Sequence, residues 1–222
     1  DRIAVAVDLV RGAHRRHQAI GRPWVEPLLP PQAEDAHRAG RAVDARFDAR
    51  FDAVVVCAGA ASARMLRGLG LRIPLVAMYG YSITAPLRAS LIENAPRAGL
   101  MDEAYKVAIS RLDDHVRVAG SAELGGRADR MSPRALATLY KVLDDWFPAA
   151  TQRSMAVPWK GARPMLPDGP PVIGPTRHAR VWINTGHGSS GWALACGSAR
   201  LVTDLIGGRT PSIDARGFSM DR

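Results

Sequence analysis

The chain has 222 residues, 47% of them apolar and 23% charged, with a formal net charge of +9. Such a composition excludes wholesale disorder and suffices for one large core or two small ones, while the longest apolar run, AVVVCAGAA at 53–61, falls far short of the roughly 20 residues that cross a bilayer. The positive charge is carried by arginines scattered along the chain, beside only Lys106, Lys141 and Lys160, so it forms no stripe for nucleic acid, and at most weak attraction to an anionic membrane surface remains compatible with it.

The opening DRIAVAVDLVRGAHRR begins with Asp and has no basic stretch leading into a long apolar core, which reads as no secretory signal and as a natural start that is missing. Cys57 and Cys196 stand in apolar surroundings at no metal-ligand spacing and read as reduced, packed thiols of a cytoplasmic protein. Residues 11–50 show neither strand nor helix periodicity and carry Pro23, Pro27, Pro30 and Pro31, so segment 1–50 is read as irregular and left unassigned. At Phe51 the character changes. FDAVVVCAGAAS predicts a strand at 53–58 in a parallel sheet buried on both faces, and ARMLRGLGLRIP allows one short helix.

PLVAMYGYSITAPL, YKVAISRL and HVRVAGSAE follow as strands of an antiparallel sheet, with LDDH at 112–115 as a hairpin connection. SPRALATLYKVLDDWFP at 132–148 is a helix: Ser132 is its N-cap, Pro133 opens it, and Leu136, Leu139, Tyr140, Leu143 and Phe147 share one face. WKGARPMLPDGPPVIGPT reads as a loop, RVWINT as a strand, and the last helix runs from about 190 to 206, where GGR ends it.

Before that helix, INTGHGSSGW places Gly186, Gly188 and Gly191 at the G-x-G-x-x-G spacing of a dinucleotide fingerprint. A true fingerprint needs a following strand with an acidic residue about 20 positions on to hold the ribose, and here no strand follows. Two readings remain: glycines that serve only a tight strand-to-helix turn, or a bare backbone at a helix start, whose free N–H groups favour an anionic or electron-rich partner.

GARPMLPDGPPVIGPT followed by VWINTGHGSSGWALACGSARLVTDLIGGRTPSID resembles the C-terminal portion of FAD-dependent D-amino acid dehydrogenases, in the wider group that includes glycine oxidase and sarcosine oxidase. The resemblance extends upstream, in order, through DEAYKVAISRL, YGYSIT and FDAVVVCAGAAS, and so covers about 51–222. It implies a mixed α/β (α+β) fold: a partial Rossmann-like FAD-binding domain from 51–71 and 159–222, and an antiparallel or mixed-sheet substrate domain from 72–158 with helix 133–147. The N-terminal βαβ unit that grips the FAD pyrophosphate in such proteins is not found in the sequence.

For individual residues the resemblance implies that Gly186, Gly188 and Gly191 keep the backbone close to the pyrimidine edge of non-covalent FAD, with Ser189, Ser190 and Trp192 offering N–H groups or polar contacts. His187 is either an acid–base group or an orienting one. Ala58, Gly59 and Ala60 would allow passage beside the cofactor or merely close packing. Arg163 would meet a substrate carboxylate or the flavin O2 region, and Asp168 a turn. Tyr105 would contact the substrate carboxylate unless it is an ordinary strand tyrosine; Tyr81 is a weaker candidate. The chemistry implied is oxidation of a D-amino acid to an imine, then a 2-oxo acid and ammonia, with electrons passed to a quinone-type acceptor in the cytoplasm or at the periphery of the inner membrane. Two other readings stay open: a truncated or split fragment unable to hold FAD without an N-terminal half, and an arginine-rich protein binding anionic polymers.

Overall fold

Strands β1 (Ile3–Ala6) and β2 (Ala53–Val56) lie side by side in parallel, Ile3 opposite Ala53 and Ala6 opposite Val56. The structure, a computed structural model, describes Ile3–Ala6 and residues 52–222. Irregularity over 1–50 therefore fails at Ile3–Ala6, where IAVA, free of Pro and Gly, pairs with the AVVV of β2; the irregular reading of 11–50 lies outside the described residues. From β2 a 3-10 turn (Gly59–Ala61) leads to helix α1 (Ser62–Gly68). Then come β3 (Val76–Pro86), β4 (Leu100–Asp102), β5 (Val107–Leu112), β6 (His115–Leu124), α2 (Pro133–Trp146), β7 (Val157–Met165), β8 (Val172–Pro175), β9 (Val181–Thr185) and α3 (Gly191–Ile206).

Two sheets result. In the first, order β1-β2-β9-β8, β9 runs parallel to β2 and β8 antiparallel to β9. Strands β2 and β9 are packed on both sides, as a parallel sheet requires. Val56 and Ile183 pack with Leu66, Leu71, Leu166 and Val172 on one face, and Val55 and Ile173 pack beneath Leu201 and Val202 of α3 on the other.

The second sheet is antiparallel, order β4-β5-β6-β3-β7. Helix α2 lays Leu139, Val142 and Leu143 on Tyr81, Ile83, Val107, Ile109, Val116 and Val118, all buried. Burying each such side chain contributes about 1.5–3 kcal/mol. Ser132 caps the helix, its Oγ accepting from the Ala135 amide at 3.3 Å, and Pro133 opens it where no amide hydrogen is needed. The LDDH hairpin forms as read, with Leu112 opposite His115.

Side chains alternate along a strand. With Tyr81 and Ile83 turned toward α2, the opposite face carries Gly80, Ser82, Arg117, Trp159, Gly161 and Arg163. A bulge sits where Tyr79 pairs with Glu123 but Tyr81 with Gly120, and Ser121 takes φ +65 there.

Three expectations change. The Pro/Gly-rich stretch from Trp159 is not a loop: β7 and β8 occupy it, because both are edge strands, where a proline costs no ladder hydrogen bond. Residues 159–165, grouped above with the glycine turn, consequently belong to the five-stranded sheet. Strand β5 starts at Val107, leaving Tyr105 in the preceding turn, where Lys106 takes φ +53. The thiols are not both packed either: Cys57 is half-buried, but Cys196 is exposed on α3, whose buried positions are Ser198, Leu201, Val202 and Asp204. Among the described residues no helix is long and apolar enough to cross a membrane.

Candidate functional site

The parallel strands β2 and β9 end side by side, and each runs into a glycine turn: Gly59 at φ +52, Gly186 at φ +86 and Gly188 at φ +56. Thr185 donates its Oγ1 hydrogen to the Gly59 carbonyl at 3.2 Å, which ties the two turns together. This is the carboxyl end of parallel strands, where α/β sheets present their ligand crevice. Strand β7 touches both turns, so Ala58, Gly59 and Ala60 share one neighbourhood with Gly186, His187, Gly188, Ser189, Ser190 and Gly191.

Packing already accounts for two of the glycines. A Cβ on Gly186 would collide with Leu166 Cδ1, and one on Gly188 would stand 2.9 Å from Met165 Sδ. This packing agrees with the tight-turn reading, and the start of α3 is open as well. No side chain caps α3, and Ser189 and Ser190 are exposed. The Ser190 amide is used internally, donating to the His187 carbonyl at 3.1 Å. The amides of the first helical turn keep the positive end of a 16-residue helix, α3, pointed at open space.

His187 does not face that space. Its Nε2 lies 2.9 Å from Ser198 Oγ, one hydroxyl inside α3, and burial pushes the imidazole pKa below its ordinary value, so the ring is neutral at pH 7. Of its two readings, the orienting one matches this geometry. Trp192 is 97% exposed.

Arg163 stands on β7 two residues before Met165, the side chain that packs against Gly188. Gly80 of β3 and Gly161 of β7 are direct register partners, so the sheet is bare at that pair. The Arg163 guanidinium lies over Gly80, where a Cβ would come within 2.7 Å of Cζ, and Nη1 donates to the Ser121 carbonyl at 3.2 Å. The Trp159 indole lies over Gly161 in the same way, a Cβ there falling 2.7 Å from Cζ2.

Two tyrosines fall elsewhere. Tyr81 is 1% exposed, its hydroxyl paired with Glu123 and accepting the Ser132 amide at 3.2 Å, on the α2 side of the sheet. Lys160, Nζ 2.7 Å from Glu123 Oε2, completes this cluster. Burial alone would lower the Lys160 pKa, but hydrogen bonds to Glu123 and Tyr81 outweigh it and the net shift is upward. Tyr105 is exposed in the β4–β5 turn, its ring 5.2 Å from Lys141 Nζ of α2. Asp168 does sit in a turn, held by Arg222 at 2.6 Å.

A family profile described as FAD dependent oxidoreductase (DAO) matches residues 30–205. The chain belongs to this family. It is 48% identical over 171 residues to a D-amino acid dehydrogenase of Rhodopseudomonas palustris (strain HaA2), covering 77% of this chain and 40% of the relative. Against a D-amino acid dehydrogenase of Chromohalobacter salexigens it is 43% identical over 187 residues, covering 84% and 44%. The chain thus spans less than half the length of these curated relatives. Among solved structures, iminodiacetate oxidase from Chelativorans sp. BNC1 superposes with a TM-score of 0.65 at 24% identity, covering 77% of this chain and 46% of that one. Glycine oxidase from Geobacillus kaustophilus superposes with a TM-score of 0.65 at 22% identity, covering 77% and 45%. The fold is theirs.

For a DAO-family chain the question is which part of FAD these residues fit. The uncapped start of α3 beside the Gly59 and Gly186 turns suits an electron-rich ring edge. The pyrophosphate finds no counterpart: among the described residues no strand leads through G-x-G-x-x-G into a helix that returns to a parallel neighbour. A groove of about 640 Å³, lined by Cys57, Trp182, Asn184 and Thr203, runs along the β2/β9 face beside α3 and is separate from the glycine turns.

Gly80, Arg117, Trp159 and Gly161, which share the sheet face with Arg163, were not singled out from the sequence. A signal existed: Trp159, Gly161 and Arg163 recur every second residue, which marks one face of a strand once WKGARPM is read as a strand rather than a loop.

Proposed function

We propose that this chain provides the flavin-edge and substrate-facing parts of an FAD-dependent oxidoreductase that converts D-amino acids to 2-oxo acids and ammonia. The observation that carries the reading is the uncapped α3 start, set against the glycine turns and β7 at the carboxyl end of a parallel sheet. Relatives named D-amino acid dehydrogenase supply the substrate class. Bound non-covalently, FAD would supply the two-electron acceptor for the substrate Cα–H.

The residues divide the work as follows. The backbone of Gly186, Gly188 and Gly191 leaves room for the ring edge, and the amides from Gly191 onward stabilise negative charge developing there. Ser189 and Ser190 offer hydroxyls at the open side of the turn, and Ala58, Gly59 and Ala60 keep the adjacent turn free of bulk. Arg163, fixed by Ser121 and laid flat on Gly80, presents its remaining N–H groups to the substrate carboxylate. His187, locked to Ser198, holds the turn in shape. Tyr105 approaches the substrate only if the β4–β5 turn rearranges, and Tyr81 serves the core. Electrons leave for a quinone-type acceptor, and contact with the membrane is at most peripheral.

A second reading is favoured by the 40–45% coverage of the relatives: the chain holds FAD only when an N-terminal nucleotide-binding half is supplied. One experiment addresses both. The purified chain is mixed with FAD, with and without that half from a relative, and the bound isoalloxazine spectrum is recorded before and after D-alanine. Bleaching by D-alanine but not L-alanine in the complemented sample supports oxidation of D-amino acids. Retention of FAD by the chain alone rejects the second reading, and a complemented, flavin-loaded sample that no D-amino acid bleaches rejects the first.

A further inference from the structure

The sheet face opposite α2 carries a second guanidinium that the reading above leaves unused. Arg117 of β6 donates Nη2–H to Ser82 Oγ at 3.4 Å, and its guanidinium carbon stands 5.9 Å from the Trp159 ring centroid. Arg163 lies over Gly80. Gly80 and Ser82 are successive same-face positions of β3, about 7 Å apart along the strand at roughly 3.4 Å per residue, and one cation stands at each. Beside the Arg163 guanidinium, on the neighbouring strand, the indole of Trp159 lies on the bare Gly161 backbone.

Neither arginine has a carboxylate partner among the described residues; their protein acceptors are a hydroxyl and a carbonyl. Most other charges of this region are matched: Lys160 by Glu123, Arg127 by Asp129. Two unmatched guanidiniums on one face attract anions and repel cations. Repulsion is an effective means of specificity.

We infer that Arg117, backed by Trp159, is a specificity-determining residue: it receives the substrate's side chain beyond Arg163, favouring D-amino acids with an acidic side chain and rejecting basic ones. This rests on the oxidation of D-amino acids proposed above. The order along the face supports it. Met165 stands against Gly188 at the glycine turn, then Arg163, then Trp159 and Arg117, so a molecule held by its α-carboxylate at Arg163 extends its side chain toward Arg117.

Two measurements test it, each on wild type, Arg117→Gln, and an Arg134→Gln control that removes one positive charge from α2. Glutarate, an unreactive dicarboxylate, is titrated into the chain while the Trp159 indole N–H resonance is followed, assigned with Trp159→Phe. Separately, the ratio of kcat/KM for D-glutamate over D-lysine is measured in the complemented, flavin-loaded protein. Arg117→Gln should weaken glutarate binding at least fivefold and lower the ratio at least tenfold, and the control should move neither. A flavin-loaded protein that oxidises no D-amino acid, yet binds glutarate through Arg117, refutes the D-amino acid reading and leaves the anion site standing. Glutarate that ignores Trp159, or a ratio that Arg117→Gln leaves unchanged, overturns the inference about Arg117.

Discussion

Replacing Gly186 with Ala perturbs the turn where β9 hands over to the α3 segment. At φ +86 an L side chain is in left-handed backbone, which costs about 1–2 kcal/mol. The new Cβ would also collide with Leu166 Cδ1 and come within 3.0 Å of its Cγ, with Pro171 Cα at 3.6 Å behind. Leu166 is 5% exposed and cannot swing into water, so the overpacking adds about 1–3 kcal/mol. The expected loss is about 2–5 kcal/mol, or roughly 4–20 °C in Tm at about 2–4 °C per kcal/mol for a chain of this size. Gly197→Ala is the matched control: it lies within α3, nothing stands within 4 Å of its Cβ, and helix propensity alone should stabilise it by about 0.5–1 kcal/mol. Urea unfolding followed by circular dichroism reads both. If Gly186→Ala unfolds within about 0.5 kcal/mol of wild type, the turn is not held as described and the case for close approach at the site goes with it.

Folding lowers the His187 pKa, so the unfolded chain binds that proton more tightly: the stabilisation is complete above the unfolded value near ~6.5 and is lost as pH falls through it toward the folded value. His187→Asn should flatten the urea-midpoint slope between about pH 7 and pH 5.5; an unchanged slope would place the ring in solvent. Tyr81→Phe should lower stability by about 1–2 kcal/mol, because the Ser132 amide loses its acceptor at the start of α2. An unaltered urea midpoint would mean that the hydroxyl is not engaged. Burial pushes the Cys57 thiol up to about 11, whereas Cys196 is exposed, so iodoacetamide at pH 8 should label Cys196 and spare Cys57 until urea is added. Equal labelling rates, read by mass spectrometry of the peptides, would contradict the packing on β2.

Much of the architecture was legible because local chemistry and tertiary context agreed. Ser132-Pro133 opens a helix by capping and by fixed φ, and AVVV is suited to a strand covered on both sides. Legibility failed where context overruled composition. Pro158, Pro164 and Gly161 disguised β7, since nothing local reveals that a segment will sit at a sheet edge where its amides are not all needed. The candidate site was half visible for the same reason: a glycine turn before a helix announces itself, but the face shared by Arg117, Trp159 and Arg163 exists only through the register of β6, β3 and β7. Tyr105 shows the converse. Its place in a family-like string implied a role, yet a positive φ at Lys106 leaves it in a turn beside α2.

The facing pair Gly80 and Gly161 restricts how this protein's sequence can drift. Any side chain at either position must evict a neighbour, the guanidinium in one case and the indole in the other, so neither glycine can be exchanged alone without disturbing Arg163 or Trp159. These four positions are therefore expected to be inherited as a block, and a descendant that gives up the arginine or the tryptophan is the one in which its glycine becomes free to vary.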